Sequence, residues 1–267
     1  MKLLKRNILS AILLTACIVF VALVCTAFGV FDPPVGPFEG EFDSPEINLD
    51  KWQVDDSGAC AFERVSEPVR SGSFALRIDS QSRARCEVLP WVGSTILGRQ
   101  QREPFNRDRW YAFSVFLPGD WEPNPANEVI AQWHSSKDVF FGEEGGRGPP
   151  LALRIVGREW RLTAGYDADL LSQPGAKASR IVARRALRTR RWVDWVFRVR
   201  WSWKDNGITE VWMDGEPVYS KVGPNAYFDL RGVYLKLGSY HPGQPRTVYL
   251  DRVRVQSAPF EDIPIRR

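Results

Sequence analysis

Beyond residue 48, hydrophobic and polar residues alternate in short runs that turn residues interrupt. A period of two places successive side chains on opposite faces and is typical of half-buried β-strands. Such runs cover residues 74–79, 111–117, 151–155, 160–164, 193–202, 208–213 and 249–255. Gly157 separates two of them as in a hairpin, and Asp214-Gly215 ends another. No convincing helix interrupts the series, so the pattern predicts an all-β sandwich or barrel.

The first 31 residues follow a different pattern. Lys2, Lys5 and Arg6 precede a stretch from Ile8 to Phe31 that contains no charged residue. About 20 apolar residues are enough to span a bilayer, and the positively charged flank stays in the cytoplasm. We therefore expect an apolar export helix, acting as a signal peptide or as a membrane anchor.

The fate of the export segment stays open. Residues 27–29 suit signal cleavage, residues 14–17 resemble a lipobox, and an uncleaved segment would bind the protein to the membrane. All three alternatives place the rest of the chain in the periplasm or outside the cell. Residues 32–48, rich in Pro, Gly and acidic residues, are interpreted as a linker, and residues 49–267 as one domain.

Cys60 and Cys86 are the two cysteines that follow the export segment. Export allows them to form a disulfide, and two buried free thiols are the alternative. With two histidines in the chain and no Cys/His cluster at zinc spacing, the sequence predicts no metal site.

Charge argues against a nucleic-acid partner. The formal net charge is +4, but Lys2, Lys5 and Arg6 account for three of these charges, which leaves the exported part near neutral. Its basic residues are mostly arginines, whose planar side chains pair well with carboxylates and sulfates.

Three short motifs carry candidate chemistry. On a strand, Arg85 and Glu87 share one face, away from Cys86. Gln132 and His134 share the polar face of a run whose Val129, Ala131 and Trp133 would face the core, with Ile130 on the polar side. An imidazole can serve as a base near neutral pH, and an amide can bind a carboxylate.

The third motif is the seven-residue run from Tyr234 to Tyr240. Strict alternation places Tyr234, Lys236, Gly238 and Tyr240 on one face, opposite the apolar residues. Two tyrosines and a lysine in one row suit an anionic sugar, and Gly238 leaves space for a ring to approach.

In this order, the three motifs resemble those of alginate lyases, glucuronan lyases and heparin lyase I-like polysaccharide lyases. These families share an R-x-E, a Q-x-H and a Y-x-K-x-G-x-Y strand. The similarity extends to residues 110–121 and 211–215, and the resemblance covers about residues 40–257. It implies a concanavalin A-like β-jelly-roll sandwich of two antiparallel sheets, with the site in its concave face.

The resemblance also implies a reaction. The expected activity is β-elimination on an acidic, uronate-containing polysaccharide by a monomer that needs no metal or organic cofactor. Arg85 and Gln132 would neutralise the uronate carboxylate while negative charge develops at C5. His134 would be the base or a donor to the carboxylate, and Tyr240 the acid, serving also as the base on syn substrates.

Four further residues are expected to bind substrate. They are Lys236, Tyr234, Arg83 and Glu87, and Lys236 alternatively helps the tyrosine to give up its proton. Arg83 lies two residues before Arg85 and would share its strand face, so either arginine fits the family's motif.

The two alternative functions are a carbohydrate-binding module and a glycoside hydrolase. A non-catalytic, lectin-like carbohydrate-binding module would use the same sandwich, because a fold does not fix a function. A glycoside hydrolase would need two acidic residues that flank the bond, and no E-x-D-x-x-E run is present.

Overall fold

The computed structural model describes most of the chain beyond residue 50. The described residues are 37–40, 42–43, 51–90, 102–138, 141–143, 148–172 and 179–266, together with residues 15, 17 and 19 in helical conformation. The chain divides into two compact units, Met1–Pro34 and Val35–Arg267. The predicted export helix thus lies almost entirely outside the described residues, and within those residues no helix has the length and apolarity for a membrane crossing.

The described part of the second unit consists of strands joined by turns and loops. In chain order the strands are β1 (Phe38–Gly40), β2 (Trp52–Asp56), β3 (Cys60–Val65), β4 (Ala75–Ser80), β5 (Arg85–Pro90), β6 (Asp108–Phe116), β7 (Glu128–His134), β8 (Leu151–Val156), β9 (Glu159–Ala164), β10 (Arg180–Ala186), β11 (Trp192–Arg200), β12 (Ile208–Met213), β13 (Glu216–Val222), β14 (Tyr234–Tyr240) and β15 (Arg246–Gln256). Asp214 and Gly215 both adopt positive φ between β12 and β13, the geometry that a tight hairpin requires.

The strands form two antiparallel sheets. An eight-stranded sheet has the order β13-β12-β11-β6-β15-β4-β3, with β1 also paired to β15. A seven-stranded sheet has the order β10-β9-β8-β7-β14-β5-β2. Crossovers such as β7-β14-β5 bring together strands that are far apart in the sequence. The predicted all-β, two-sheet antiparallel sandwich is confirmed.

Apolar side chains from both sheets meet in one core. On β11, the alternating residues Val193, Trp195, Phe197 and Val199 are all buried, as the sequence pattern predicts. Trp133 of β7 reaches Phe197 from the seven-stranded sheet, with ring centroids 4.6 Å apart. The core therefore fixes which face of each strand is turned away from it.

The linker interpretation of residues 32–48 missed one strand. Phe38–Gly40 forms β1 and pairs with the end of β15. Phe38 and Phe42 both pack against Trp52, with ring centroids 4.9 Å and 5.4 Å away. Three residues among prolines and glycines are too short a run to show alternation, so this strand depends on its tertiary contacts.

A β-bulge in β7 changes which residues face the core. The pairing of β7 with β8 and β14 is irregular between Val129 and Ala131. Ile130 rather than Val129 consequently belongs to the core cluster. The prediction for these two residues was wrong because the extra residue of a bulge inverts the alternation locally. Gln132 and His134, after the bulge, still face away from the core.

A disulfide bond joins Cys60 of β3 to Cys86 of β5. Because β3 belongs to the eight-stranded sheet and β5 to the seven-stranded sheet, the bond connects the two sheets. Cys86 is the middle residue of the first motif, and it points into the core. The bond therefore lies directly beneath Arg85 and Glu87, which point the other way.

Replacing both Cys60 and Cys86 by alanine should lower the free energy of unfolding by about 3–4 kcal/mol, because the unfolded chain gains the freedom of an open loop. The two cysteines are 26 positions apart. Urea unfolding of the oxidised wild type and of the double variant measures the difference. Cys17→Ala is the control and should keep the wild-type midpoint, since Cys17 is a free cysteine. Equal midpoints for the double variant and the wild type would contradict a stabilising bridge.

Candidate active site

The three sequence motifs lie on adjacent strands of the seven-stranded sheet. The first opens β5, the second closes β7, and the third is β14, which lies between them and is antiparallel to both. The motif residues therefore face one another in pairs. The opposed pairs are Tyr240 with Arg85, Gly238 with Glu87, Lys236 with Gln132, and Tyr234 with His134.

These motif residues occupy the face of the sheet that points away from the core. Leu235 and Leu237 of β14 and Trp133 of β7 belong to the core cluster. Their neighbours along the strand must point the opposite way, since side chains alternate. The site face is defined here by Arg85, Glu87, Gln132, Lys236 and Tyr240.

A buried carboxylate, Glu87, organises the middle of the site face. Gln132 donates through Nε2 to Glu87 Oε1 at 2.5 Å, and Arg85 donates through Nη1 to Glu87 Oε2 at 3.1 Å. Lys236 Nζ lies 3.8 Å from the same Oε2. Burial raises the pKa of Glu87, whereas Lys236, Gln132 and Arg85 act in the opposite direction. A single carboxylate thus orients three donors, as outer-shell groups do in preorganised sites.

Asp55 belongs to the same network, although no sequence motif marks it. It forms an ion pair with Lys236 and lies 3.6 Å from Arg85 Nη1. Strand β2 pairs with β5 so that Asp55 lies opposite Glu87. Only this pairing, between strands that the sequence does not identify as partners, brings Asp55 into the site.

Tyr240 stacks against the arginine of the first motif. Arg85 Cζ lies 3.8 Å from the centroid of the Tyr240 ring, which is a close cation–π contact. Arg85 therefore touches the phenol ring on one side and Glu87 on the other. The contact leaves both side chains partly exposed.

Arg83 does not share the strand face of Arg85, so that expectation was wrong. Its φ is 62°, and it precedes the first residue of β5. A turn closed by a hydrogen bond from Ala84 N to Gln81 O holds it outside the strand, where its side chain is exposed. Arg85 is the arginine that contacts the other motifs.

His134 has a defined tautomer. Its Nδ1 lies 2.6 Å from the backbone oxygen of Ser135. A carbonyl oxygen only accepts hydrogen bonds, so Nδ1 carries the proton and Nε2 presents a lone pair. The His134 ring also lies beside Tyr234, with centroids 5.5 Å apart.

The surroundings of His134 favour the neutral imidazole. Burial lowers the pKa of His134, the Ser135 hydrogen bond raises it, and the positive charges of Lys236, Arg85 and Arg102 lower it further. The net direction is downward from 6.5. At pH 7 the ring is therefore mostly uncharged and able to accept a proton at Nε2.

Two cations enclose the ring of Tyr234. Arg102 Cζ lies 4.0 Å from its centroid, and Lys236 Nζ lies 5.5 Å from it. Arg102 is a second member of the site that sequence reasoning missed, because it precedes β6 and belongs to no alternating run. Lys236 thus contacts Tyr234, Asp55 and Glu87. The cation that contacts the ring of Tyr240 is Arg85.

His134 and Tyr240 lie at two ends of the site face and are not adjacent. Tyr240 is opposite Val129, and His134 follows five residues later on β7. Their backbone positions are about 17 Å apart along the strand, given a rise of about 3.3 Å per residue. Gln132 lies between them, so the carboxylate-binding donors occupy the middle of the face and the two proton-transfer candidates its ends.

Gly238 has a different role from the one that the sequence suggested. A Cβ at this position would lie 2.1 Å from the backbone oxygen of Cys86, and the residue adopts a φ of +147°. The space beside Gly238 is therefore filled by the neighbouring strand β5 and not left open for a sugar ring. The glycine allows β5 and β14 to approach, which seats Arg85 against Tyr240.

Comparison with known proteins agrees with this architecture. A family model described as polysaccharide lyase matches residues 46–254. An endo-β-1,4-glucuronan lyase from the fungus Trichoderma reesei superimposes with a TM-score of 0.68 at 18% sequence identity, covering 86% of this chain and 98% of the fungal one. The cellulose-induced protein Cip1 superimposes with a TM-score of 0.54 at 13% identity, covering 83% and 97% of the two chains.

Among curated proteins, none matches the sequence significantly. The two structural similarities are too distant in sequence to indicate more than a shared fold. The family model, in contrast, extends over most of the chain and includes all three motifs of the site face. The protein is therefore an enzyme of the polysaccharide lyase family.

Proposed function

We propose that the enzyme cleaves a uronate-containing acidic polysaccharide by β-elimination at the site face. Membership of the polysaccharide lyase family supports elimination chemistry, and the fold shared with a glucuronan lyase supports a uronate as substrate. One observation carries the proposal. Tyr240, Arg85, Glu87 and Gln132 form an unbroken chain of contacts that joins a phenol to two carboxylate-binding donors.

The chemistry of a uronate explains why such a chain of contacts is needed. The proton at C5 of the sugar becomes acidic only when the neighbouring carboxylate is neutralised. A base then removes this proton, and the electron pair forms a double bond between C4 and C5. The bond from C4 to O4 breaks, and O4 leaves with a proton from an acid, so neither water nor an oxidant is consumed.

Arg85 and Gln132 are assigned to the substrate carboxylate. Arg85 uses Nη1 for Glu87 and retains its other N–H donors, and Gln132 retains a second amide N–H. Glu87 holds both in position before substrate arrives, so no reorganisation is required as charge develops. Asp55 and Lys236 complete this network from the adjacent strands.

His134 and Tyr240 are assigned to proton transfer. His134 is the base, because it is neutral at pH 7 and its Nε2 has a free lone pair. Tyr240 is the acid that protonates O4, and Arg85 at its ring stabilises negative charge on the phenol oxygen. Both side chains lie on the site face with Gln132 between them along β7, so we assign the sugar ring to the space above Gln132.

Tyr240→Phe and His134→Ala should each lower the rate of elimination by roughly 10²–10⁴-fold, the usual contribution of general acid–base catalysis. Phenylalanine keeps the ring that stacks on Arg85 and removes only the hydroxyl. Incubation with a panel of glucuronan, alginate and heparin-like chains, followed by the ultraviolet absorbance of unsaturated products, measures the rate. Arg266→Gln is the control, because Arg266 is largely exposed and pairs with Glu216 of β13 in the other, eight-stranded sheet. Full activity in both site variants would refute the assignment.

The pH profile should report the environment of His134. A base must be deprotonated, so kcat/KM should rise with pH to a plateau, with a midpoint below 6.5 because the pKa of His134 is lowered. Lys236→Met removes one of the positive charges that lower this pKa and should move the midpoint to higher pH. Lys204→Met, in an exposed turn, should leave it unchanged. A midpoint that Lys236→Met does not move would contradict His134 as the titrating base.

A further inference from the structure

A row of arginines continues the site face beyond Tyr240. Arg154 of β8 pairs with Arg161 of β9, which pairs with Arg184 of β10. On its other side Arg154 lies opposite Val129 of β7, which lies opposite Tyr240. The arginine row, Arg154, Arg161 and Arg184, therefore runs across the strands in line with Tyr240.

The arginine row lies on the same face of the sheet as the active site. The residues before and after Arg154 and Arg161 belong to the core cluster, so these two side chains point away from the core. The core neighbours are Leu153, Ile155, Trp160 and Leu162. Arg184 is on this face too, because it binds the Glu159 carboxylate that Arg161 also binds.

Arg154 lacks an acidic partner among the residues that the structure describes. Its Nε donates to Thr163 Oγ1 at 3.2 Å, and no described carboxylate lies within ion-pair distance. Burial lowers the pKa of Arg154, and the electrostatic interaction with Tyr240 opposes this. A guanidinium stays charged at neutral pH all the same. A half-buried cation without a counterion lowers stability, which is the expected feature of a site that receives an anion.

The other two arginines share a single carboxylate. Glu159 Oε2 lies 3.2 Å from Arg161 Nε and 2.7 Å from Arg184 Nη1. The row therefore contains three guanidinium groups and one carboxylate, and it keeps a positive excess. Arg161 is partly exposed and Arg184 is exposed, so both are accessible.

The spacing of the row matches that of a sugar chain. Adjacent strands lie about 4.8 Å apart, close to the length that one 1,4-linked pyranose adds to a polysaccharide. We propose that Arg154, Arg161 and Arg184 bind the carboxylates of successive uronates on one side of the cleaved bond. The preferred substrate is then a chain of consecutive uronic acids, not one that alternates uronates with neutral sugars. This inference rests on the proposed function and extends it to the residues beyond the cleaved bond.

Binding can be measured apart from catalysis. Titration calorimetry would use a hexamer of 1,4-linked glucuronic acid and the Tyr240→Phe variant as parent. Adding Arg154→Gln should weaken binding roughly tenfold, the loss expected for one charge-assisted contact. Adding Arg266→Gln instead removes the same charge outside the site and should leave the affinity unchanged. The carboxyl-reduced hexamer should bind the parent and the Arg154→Gln variant equally.

Chain length and stability provide two further readouts. In otherwise wild-type enzyme, Arg184→Gln should raise KM for the hexamer several-fold more than for the trimer, because Arg184 is the arginine of the row farthest from Tyr240 and the trimer is too short to reach it. Thermal unfolding without ligand should show that Arg154→Gln is at least as stable as the wild type, because an unpaired cation has been removed. A purely structural arginine would instead lower the melting temperature and leave binding of folded protein intact.

The outcomes separate the two proposals. A wild-type enzyme that eliminates no uronate polysaccharide would refute the proposed function, whatever the binding data show. Equal affinity of the parent and the Arg154→Gln variant for the hexamer would refute the arginine row, even in a fully active lyase. Equal weakening for the charged and the carboxyl-reduced hexamer would also refute it, because the recognised group would not be the carboxylate.

Discussion

The register of β14 between β7 and β5 is the constraint on which the site depends. Leu235 and Leu237 must enter the core, and this requirement fixes the face of every other residue on the strand. A slip by one residue would turn Lys236 into the apolar core and the leucines out of it, which is energetically prohibitive. Because both neighbours are antiparallel, one register decides the contacts of β14 with both other motifs.

Two irregularities of the strands change how β14 contacts its neighbours near Tyr240. The register shift between Leu237 and Tyr240 places Val129 and not Glu128 opposite Tyr240, and Gly238 lets β5 approach β14 more closely than any side chain would permit. The disulfide at Cys86 connects β5 to the other sheet at the same level. Core packing, backbone geometry and a covalent bond thus all act on the short segment that holds Arg85.

The electrostatics of the site follow from placing charges on a partly buried face. Glu87 is buried, so it needs donors, and Arg85, Gln132 and Lys236 supply them. Those donors are consequently held in place before any substrate arrives. Burial lowers the pKa of His134, and the positive charges of Lys236 and Arg85 add to this effect, so the imidazole stays neutral. The contacts that stabilise the buried Glu87 carboxylate therefore also position donors for the carboxylate of a substrate. The same charges help to keep His134 able to accept a proton.

The sequence by itself determined the all-β sandwich, because alternation with a period of two depends only on which side chains avoid water. It also determined the candidates Arg85, Gln132, His134 and Tyr240, since their spacing forms recognisable strand motifs. The tertiary structure alone decided how strands far apart in the chain pair. That pairing placed Asp55 in the site and aligned Arg154 with Tyr240. The bulge in β7 exchanged the faces of Val129 and Ile130, and a turn kept Arg83 outside β5. Hydrogen bonding between strands depends on the whole sheet, and no single strand carries the information that selects its partner.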